Sequence, residues 1–564
     1  MWRVIKLLLN FFFSSILFNY FVQILILLLN PHISIRLTSE EFFLLYLNLY
    51  IFYGPLWFIL IGIIFALIQF FSEKKYPIGI FKPPTITYFL AFTILIISFI
   101  LYLNYDYYFD FLEGHTKFNF VRIVLINLAL VIIGIVFVFY KKIKKKWMQV
   151  VFLSLLAINI FHSYNSVITG NGDSGPDQFL YKNKDEKFSP PRFIPAEFTP
   201  RKIRIVIMDG LSLDLIQSLA SEQKLLNFNE IIKKGVSGRI KTFRPNLSLS
   251  MLNSALTGLK PSEFSLHSHD KFKFTDINHE FDMRPRFIFF RKSPYINTTS
   301  FYTRNDNQFL DNINKYYEND KRKTVRIIKP PHIDSYSQRS LYKNNRFVPL
   351  FSDLLREKNK GDEKYEVLKK YFFLDDYLKN MIPDLKDSNT FYSVSSLPGL
   401  GIVGKFVYQY HMPQIFGDIS LDDDRIKKYG WLIEKYYEYY DSIIGNLVST
   451  TGDDELLVIL SFFEYEPLPV WRRILVNLFG PKDTYVYKSL NSRGTILMYE
   501  KNALKNGYPL KMISVYDIYP TLLYYSGFQL SKDLRGEVLK EIFIDEFLLN
   551  NPIDIDTGYD NLIK

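Results

Sequence analysis

Five long apolar runs dominate the first 170 residues: about Leu7–Leu29, Phe42–Phe71, Thr85–Asn104, Ile123–Tyr140 and Trp147–Thr169. Each approaches or exceeds the ~20 residues that cross a bilayer as helix, so the pattern predicts five spans. The second run carries Gly54-Pro55, which predicts a kink, and its length implies tilt. The first run is too long for a cleaved leader, lacks a small-residue cleavage motif and is followed by four more spans.

After about residue 200 the pattern changes to alternating short elements. Ile203–Met208 reads as a strand and Leu213–Leu226 as a helix, and Phe228–Lys234 opens another helix. Gly235 and a strand over Val236–Thr242 follow. The alternation returns with a helix over Trp431–Val448, a strand over Leu456–Leu460 and a helix over Val515–Tyr525. Strands alternating with helices predict an α/β domain with a mostly parallel sheet between helices. Residues 271–390 are polar, aromatic and irregular, and their pattern places no element. The expected organisation is a five-helix transmembrane region (1–170), a Gly/Pro-rich linker (171–200), a sheet domain (201–545) and a tail (546–564). Asn171–Asp177 has oxygen ligands in loose series but no terminal Glu of a calcium loop, so it reads as linker.

Charge adds an orientation. Arg3, Lys6, Lys74, Lys75, Lys82 and the Lys141–Lys146 cluster fall on one side of the spans. Glu40, Glu41, Asp106, Asp110 and Glu113 fall on the other. The positive-inside rule then puts the N-terminus in the cytoplasm, and an odd number of spans exports everything after about residue 170. The expected location is therefore an integral membrane protein with an extracytoplasmic domain, periplasmic where the cell has an outer membrane. Of the net charge of +11, residues 1–170 carry +7. The exported part is close to neutral, which argues against a nucleic acid partner and leaves membrane lipids as the expected surroundings. There is no cysteine, which excludes disulfides and thiolate metal sites.

Candidate chemistry begins at the end of the first strand, in Asp209-Gly210. An acid there can be a metal ligand or a helix cap. Ser248, within Arg244-Pro-Asn-Leu-Ser-Leu-Ser-Met-Leu-Asn-Ser-Ala-Leu-Thr-Gly258, stands where a helix from Leu249 to Leu256 begins. There it is either an N-cap or a hydroxyl held at the positive end of a helix, suited to a bound phosphate or an activated alkoxide. Read with Tyr516-Asp-Ile-Tyr-Pro-Thr-Leu-Leu-Tyr-Tyr-Ser-Gly527 and Leu534-Arg-Gly536, these pieces resemble the alkaline phosphatase superfamily, particularly its type I phosphodiesterase and sulfatase-like branch. Five spans before such a domain are also similar to lipoteichoic acid synthases and phosphoethanolamine transferases. The resemblance implies a Ser or Thr nucleophile between two divalent metals that clamp an in-line displacement. It maps a metal ligand onto Asp209 and the nucleophile onto Ser248.

The remaining ligands depart from that pattern. Gly401 and Lys405 stand where an Asp and a His belong, Phe462-Phe463-Glu464 replaces an Asp-His-Gly, and Lys488 aligns with the final His. No histidine follows His411. Glu464, Glu466, His411, Asp418 and Asp422–Asp424 are substitute candidates, though His411 also reads as an ordinary histidine and the Asp run as a helix start. His267, His269 and Asp270 form the only histidine cluster. The expectation is a catalytically degenerate domain, a pseudoenzyme of the cell envelope that needs no cofactor. In that reading Lys405 pairs with Asp209 and joins the Ser248 helix end in a pocket for a phosphate ester or other anionic envelope ligand. The alternative is an active metal-dependent phosphoesterase or phosphotransferase on lipid or glycan head groups, with zinc or manganese and Glu464 and His411 as unusual ligands. A third possibility is a scaffolding protein whose external domain only binds partners.

Overall fold

The computed structural model describes residues 2–34, 36–75, 86–139, 145–168, 201–245, 247–261, 270–281, 283–286, 296–300, 324–328, 363–386, 390–419, 421–479, 485–488, 493–528, 530–531, 534–553 and 555–556. The linker with Asn171–Asp177, Lys82, Lys141–Lys144, His267 and His269 lie outside these residues. Strands are numbered along the chain. The first seven are β1 (Lys202–Ile207), β2 (Val236–Lys241), β3 (Asp270–Phe274), β4 (Glu280–Phe281), β5 (Ile296–Ser300), β6 (Thr324–Ile328) and β7 (Thr390–Ser396). The next six are β8 (Glu455–Ser461), β9 (Tyr465–Pro467), β10 (Val486–Lys488), β11 (Arg493–Tyr499), β12 (Tyr508–Pro509) and β13 (Ile513–Ser514).

The chain divides into two compact units, one formed by Met1–Lys187 with Lys260–Tyr302, the other by Phe188–Leu259 with Thr303–Lys564. In the first unit five helices are long and apolar enough to cross a membrane: Val4–Leu29, Ser39–Leu67, Ile86–Tyr107, Gly114–Phe137 and Trp147–Ile168. They match the five predicted runs, and Pro55 lies inside the second helix. Thr38 and Glu41 bond reciprocally at its start, a capping box that satisfies free N–H groups. Polar side chains on the first helix hold its neighbours through backbone carbonyls: Asn19 donates to Tyr46, Gln23 to Phe42 and Tyr20 to Ile160. In a bilayer, where no water competes, such bonds would act as the glue between apolar helices.

Strands β3, β4 and β5 form a small antiparallel sheet that belongs to this helical unit. Phe272, Phe274, Ile277, Phe281 and Met283 are buried on or beside it. Two helix-end asparagines grip the chain that follows β4. Asn30 accepts from the Met283 N–H at 2.9 Å and donates to the Met283 carbonyl at 3.0 Å. Asn104 does the same for Arg286, at 2.6 and 3.1 Å. Tyr108 donates to the Arg284 carbonyl at 2.7 Å, and the Arg286 guanidinium stacks 3.7 Å from the Tyr107 ring centroid. These contacts lie at the C-terminal ends of the first and third helices, the side opposite Lys75 and Lys145, which end the second helix and start the fifth.

The second unit is built on a sheet of order β12-β2-β11-β8-β1-β7-β6, with β13 also paired to β2. Its centre β8-β1-β7-β6 is parallel and β11 is antiparallel to both neighbours. All seven residues of β8 are buried, the near-continuous apolar run of a strand covered on both faces. On one face Val206, Leu457, Ile459 and Leu497 pack with the helices Leu213–Ser221, Leu226–Lys234, Glu363–Lys379, Gly399–His411 and Leu432–Thr450. The helix Ile518–Ser526 packs against β1, with Tyr519 beside Tyr392 of β7. The α/β expectation therefore holds, with one change near its start. The helix expected over Leu213–Leu226 ends early, at Ser221, and the next, expected from Phe228, already starts at Leu226; between them Gln223 takes a positive φ of 61°.

Buried polar groups fix particular loops of this unit. Arg204 on β1 is 1% exposed and pairs with Glu455 on β8 at 2.7 Å. Asp375 is fully buried beneath the Gly399–His411 helix. It accepts from the Gly399 N–H at 3.0 Å and from the Tyr436 and Tyr440 hydroxyls at 2.7 and 2.8 Å. A Cβ at Gly399 would fall 1.9 Å from the Tyr436 oxygen, so only glycine lets the helix start rest on that carboxylate.

Candidate functional site

The turns leaving β1 and β8 are stitched together at the C-terminal ends of the parallel strands, where α/β sheets place their sites. The Ser461 hydroxyl accepts from the N–H groups of Gly210 and Leu211, both at 3.1 Å, and donates to the Phe463 carbonyl at 2.9 Å. Asp209 is 9% exposed, and its Oδ1 accepts from the Phe462 N–H at 3.0 Å. Gly210 has a φ of 95° and comes up against Gly401, the third residue of the Gly399–His411 helix. Gly401, Phe462 and Phe463, the sequence positions where metal ligands were expected, are thus gathered around Asp209.

What they build there is an apolar plug. A Cβ at position 401 would sit 3.0 Å from the Asp209 carbonyl oxygen and 3.1 Å from the Phe463 Cζ. Phe463 is 2% exposed and packs with Tyr465, Phe416, Ile419, Tyr485 and Val486. The Tyr465 hydroxyl donates to the Gly401 carbonyl. The space beside Asp209 is filled by rings, and Asp209 is the one carboxylate among these residues. A pair of divalent cations does not fit this donor set. Among the described residues no group of three or more His, Asp or Glu side chains is arranged to hold a metal.

The other candidate residues have other partners or other places in their elements. Ser248 is the first residue of the helix Ser248–Thr257, while Leu247 occupies the cap position without a side-chain bond. Ser248 is thus inside the helix, not the cap ahead of it. No hydrogen bond or ion pair joins it to Asp209 among the described residues. Lys405 is exposed on the Gly399–His411 helix, with its ammonium 5.8 Å from the Phe406 ring centroid, and it forms no ion pair with Asp209. His411 bonds the Gly430 carbonyl at 3.2 Å, and Asp418 pairs with Arg473 at 2.7 Å. Asp422 caps the helix Asp423–Tyr429 by accepting from the Asp424 N–H, as a helix-start acid should. The backbone of Lys488 pairs with Tyr465 in the β9–β10 ribbon.

The distant motif pieces converge, and their role is architectural. Gly258 packs against Tyr519 and Leu534, and Gly536 lies on the Tyr516 carbonyl. Asp517 accepts from the Ser514 and Glu537 N–H groups at 2.8 and 3.0 Å, and the Thr521 hydroxyl accepts from the Leu539 N–H at 3.0 Å. The Asp-Ile-Tyr-Pro-Thr run therefore ties three segments of chain into one corner.

Beside the plug opens a cavity of about 380 Å³. Its wall includes Ser212, Asp214, Tyr408, Tyr437, Glu464 and Glu466, with Arg493 at the same cavity. Burial raises the Glu464 carboxyl above its ordinary range, and the nearby Asp214 and Glu466 charges push the same way. A hydrogen bond from Ser212 and the Arg239 charge oppose that rise. Arg239 itself pairs with Asp214. Sequence reasoning singled out Glu464 and Glu466. It missed Ser212, Tyr408 and Tyr437, whose approach depends on helix packing that no local motif announces.

Comparison with solved structures finds phosphonate monoester hydrolase SpPMH from Silicibacter pomeroyi, at 13% identity and a TM-score of 0.31 over 60% of this chain and 76% of that one. It also finds human ectonucleotide pyrophosphatase/phosphodiesterase 5, at 11% identity and 0.33 over 61% and 99%. The murine counterpart, an inactive variant in complex with AMP, matches at 10% and 0.33 over 61% and 100%. These neighbours are of the alkaline phosphatase superfamily. No protein-family description and no curated protein matches the sequence. Likeness at this level carries no activity across to this chain.

Proposed function

We propose that this chain is a membrane-anchored, extracytoplasmic binding protein with an alkaline-phosphatase-like sheet domain that does not hydrolyse phosphate esters. The observation that carries the reading is the packing of Phe463 against Gly401, which fills the space beside Asp209. The adjoining cavity supports the binding role. Glu464, Glu466 and Asp214 repel a bare anion, whereas carboxylates beside Tyr408 and Tyr437 suit amine or hydroxyl groups. Arg493 adds one site for a negative group. A zwitterionic or hydroxyl-rich head group, a phosphate ester with an amine included, suits the cavity better than inorganic phosphate. The lysine-rich helix ends support the cytoplasmic N-terminus through the positive-inside rule.

The second reading, a metal-dependent phosphoesterase or phosphotransferase, is favoured by one feature, the buried Asp209 at the end of β1. The test is phosphodiester turnover by the full chain in detergent with added zinc or manganese, in wild type, Asp209→Ala and Ser248→Ala. The binding role predicts the same background rate in all three. Turnover in wild type that either substitution abolishes establishes the second reading.

A further inference from the structure

The helix Val470–Phe479 is built inside out. Val470, Trp471 and Ile474 lie on one face and are 50, 59 and 47% exposed, while Arg473 on the other face is 6% exposed. Arg473 is held inward through one end of its guanidinium. It donates to the Ile415 carbonyl at 2.7 Å, pairs with Asp418 at 2.7 Å and lies 5.2 Å from the Phe416 ring centroid. Val476, on the inward side with Arg473, packs on the cluster of Phe416, Phe463 and Tyr465. Ile415, bonded to Arg473 through its carbonyl, adds a further exposed apolar side chain, at 42%. Arg472 lies 5.1 Å from the Trp471 ring centroid at the edge of that face.

We propose that Val470, Trp471, Ile474 and Ile415 dip into the bilayer interface, with Arg472 meeting anionic head groups. Three observations favour lipid over a protein partner. Tryptophan beside arginine, flanked by branched aliphatic residues, is the composition of an interfacial helix face. The chain carries five helices long and apolar enough to cross a membrane. Only Gly258 and Leu259 separate the Ser248–Thr257 helix from Lys260, where the helical unit resumes, so this domain meets a bilayer at high effective concentration. The half-buried Arg472 guanidinium beside Trp471 gives the face its complementarity to anionic lipid.

The chain has no cysteine, so Ile474→Cys accepts one environment-sensitive dye at one place. The full-length protein is reconstituted in phosphatidylcholine vesicles with and without phosphatidylglycerol. A control carries the dye at Asp453→Cys, an exposed position at the other end of β8. The expected result is blue-shifted emission at position 474 with quenching by lipids spin-labelled near the head group, strongest with phosphatidylglycerol. The control dye is quenched by aqueous iodide alone. Both labelled proteins should melt as the unlabelled chain does, since both side chains are exposed. Equal iodide quenching at the two positions overturns the proposal. Shielding from iodide at 474 without lipid quenching also overturns it, and assigns the face to a protein partner or a second copy.

Discussion

The ring of Phe463 and the backbone of Gly401 are in direct contact, so closely that a methyl group at 401 would lie 3.1 Å from the Phe463 Cζ. Neither can change alone without cost. Gly401→Ala should lower the stability of the sheet domain, and Phe463→Ala should lower it by about 3–5 kcal/mol through the cavity it leaves. Gly401→Ala combined with Phe463→Leu should be less damaging than the two effects added, because the smaller side chain yields room. Denaturant midpoints of the sheet domain, read by hydrogen exchange at β1 and β8, check the cycle.

Asp375 makes the same domain sensitive to pH. Burial raises its carboxyl from 3.8 to about 7, against the opposing bonds from Tyr436, Tyr440 and Gly399, and the Asp376 charge adds to the rise. The folded state then holds a proton that the unfolded state gives up between about pH 4 and 7. Stability from this group is present below that window and falls as pH rises through it, by about 4 kcal/mol at most. Asp375→Asn should be less stable than wild type at pH 5 and should lose the slope, so the gap narrows by pH 8. Melting curves at the two pH values decide it.

The five spans, β1, β8 and the Phe463 position were legible because each depends on local pattern. A run of apolar residues long enough to cross a bilayer reads as such wherever it packs. The stretch 271–390 was illegible for a physical reason. The backbone of Met283 and Arg286 is satisfied by Asn30 and Asn104, side chains 253 and 182 residues away, and no window of sequence contains both partners. The pairing expected between Lys405 and Asp209 failed for a related reason. Alignment placed Lys405 near the ligand position, but the helix turns it to solvent and a backbone N–H serves Asp209 instead.

The two asparagine clamps can be tested directly. Asn104→Leu leaves the Arg286 N–H and carbonyl without their partner, which should cost about 1–3 kcal/mol. Hydrogen exchange at Arg286 should quicken in that variant, and exchange at Met283 should quicken in Asn30→Leu. Unchanged protection in both would mean that apolar packing of Phe272, Phe274 and Phe281 holds the segment without them.

Glu464 should couple ligand binding to pH. Its carboxyl titrates above the ordinary range, so an amine-bearing ligand should bind more tightly as pH rises through that titration. Calorimetry with phosphoethanolamine as probe should show this slope in wild type and none in Glu464→Gln. Tyr408→Ala should weaken binding at every pH.

The grouping of Lys260–Tyr302 with the helices has a practical consequence for handling this molecule. The polypeptide passes between the two units three times, so no single scission separates an anchor from an intact head. A water-soluble fragment beginning near residue 201 would carry the phenylalanines of β3 and β4 together with the Met283–Arg286 backbone. It would lack the asparagines and tyrosine that receive that backbone. Such a fragment is expected to clump, and silence from it in an assay would reflect the cut and not the chemistry of the native chain.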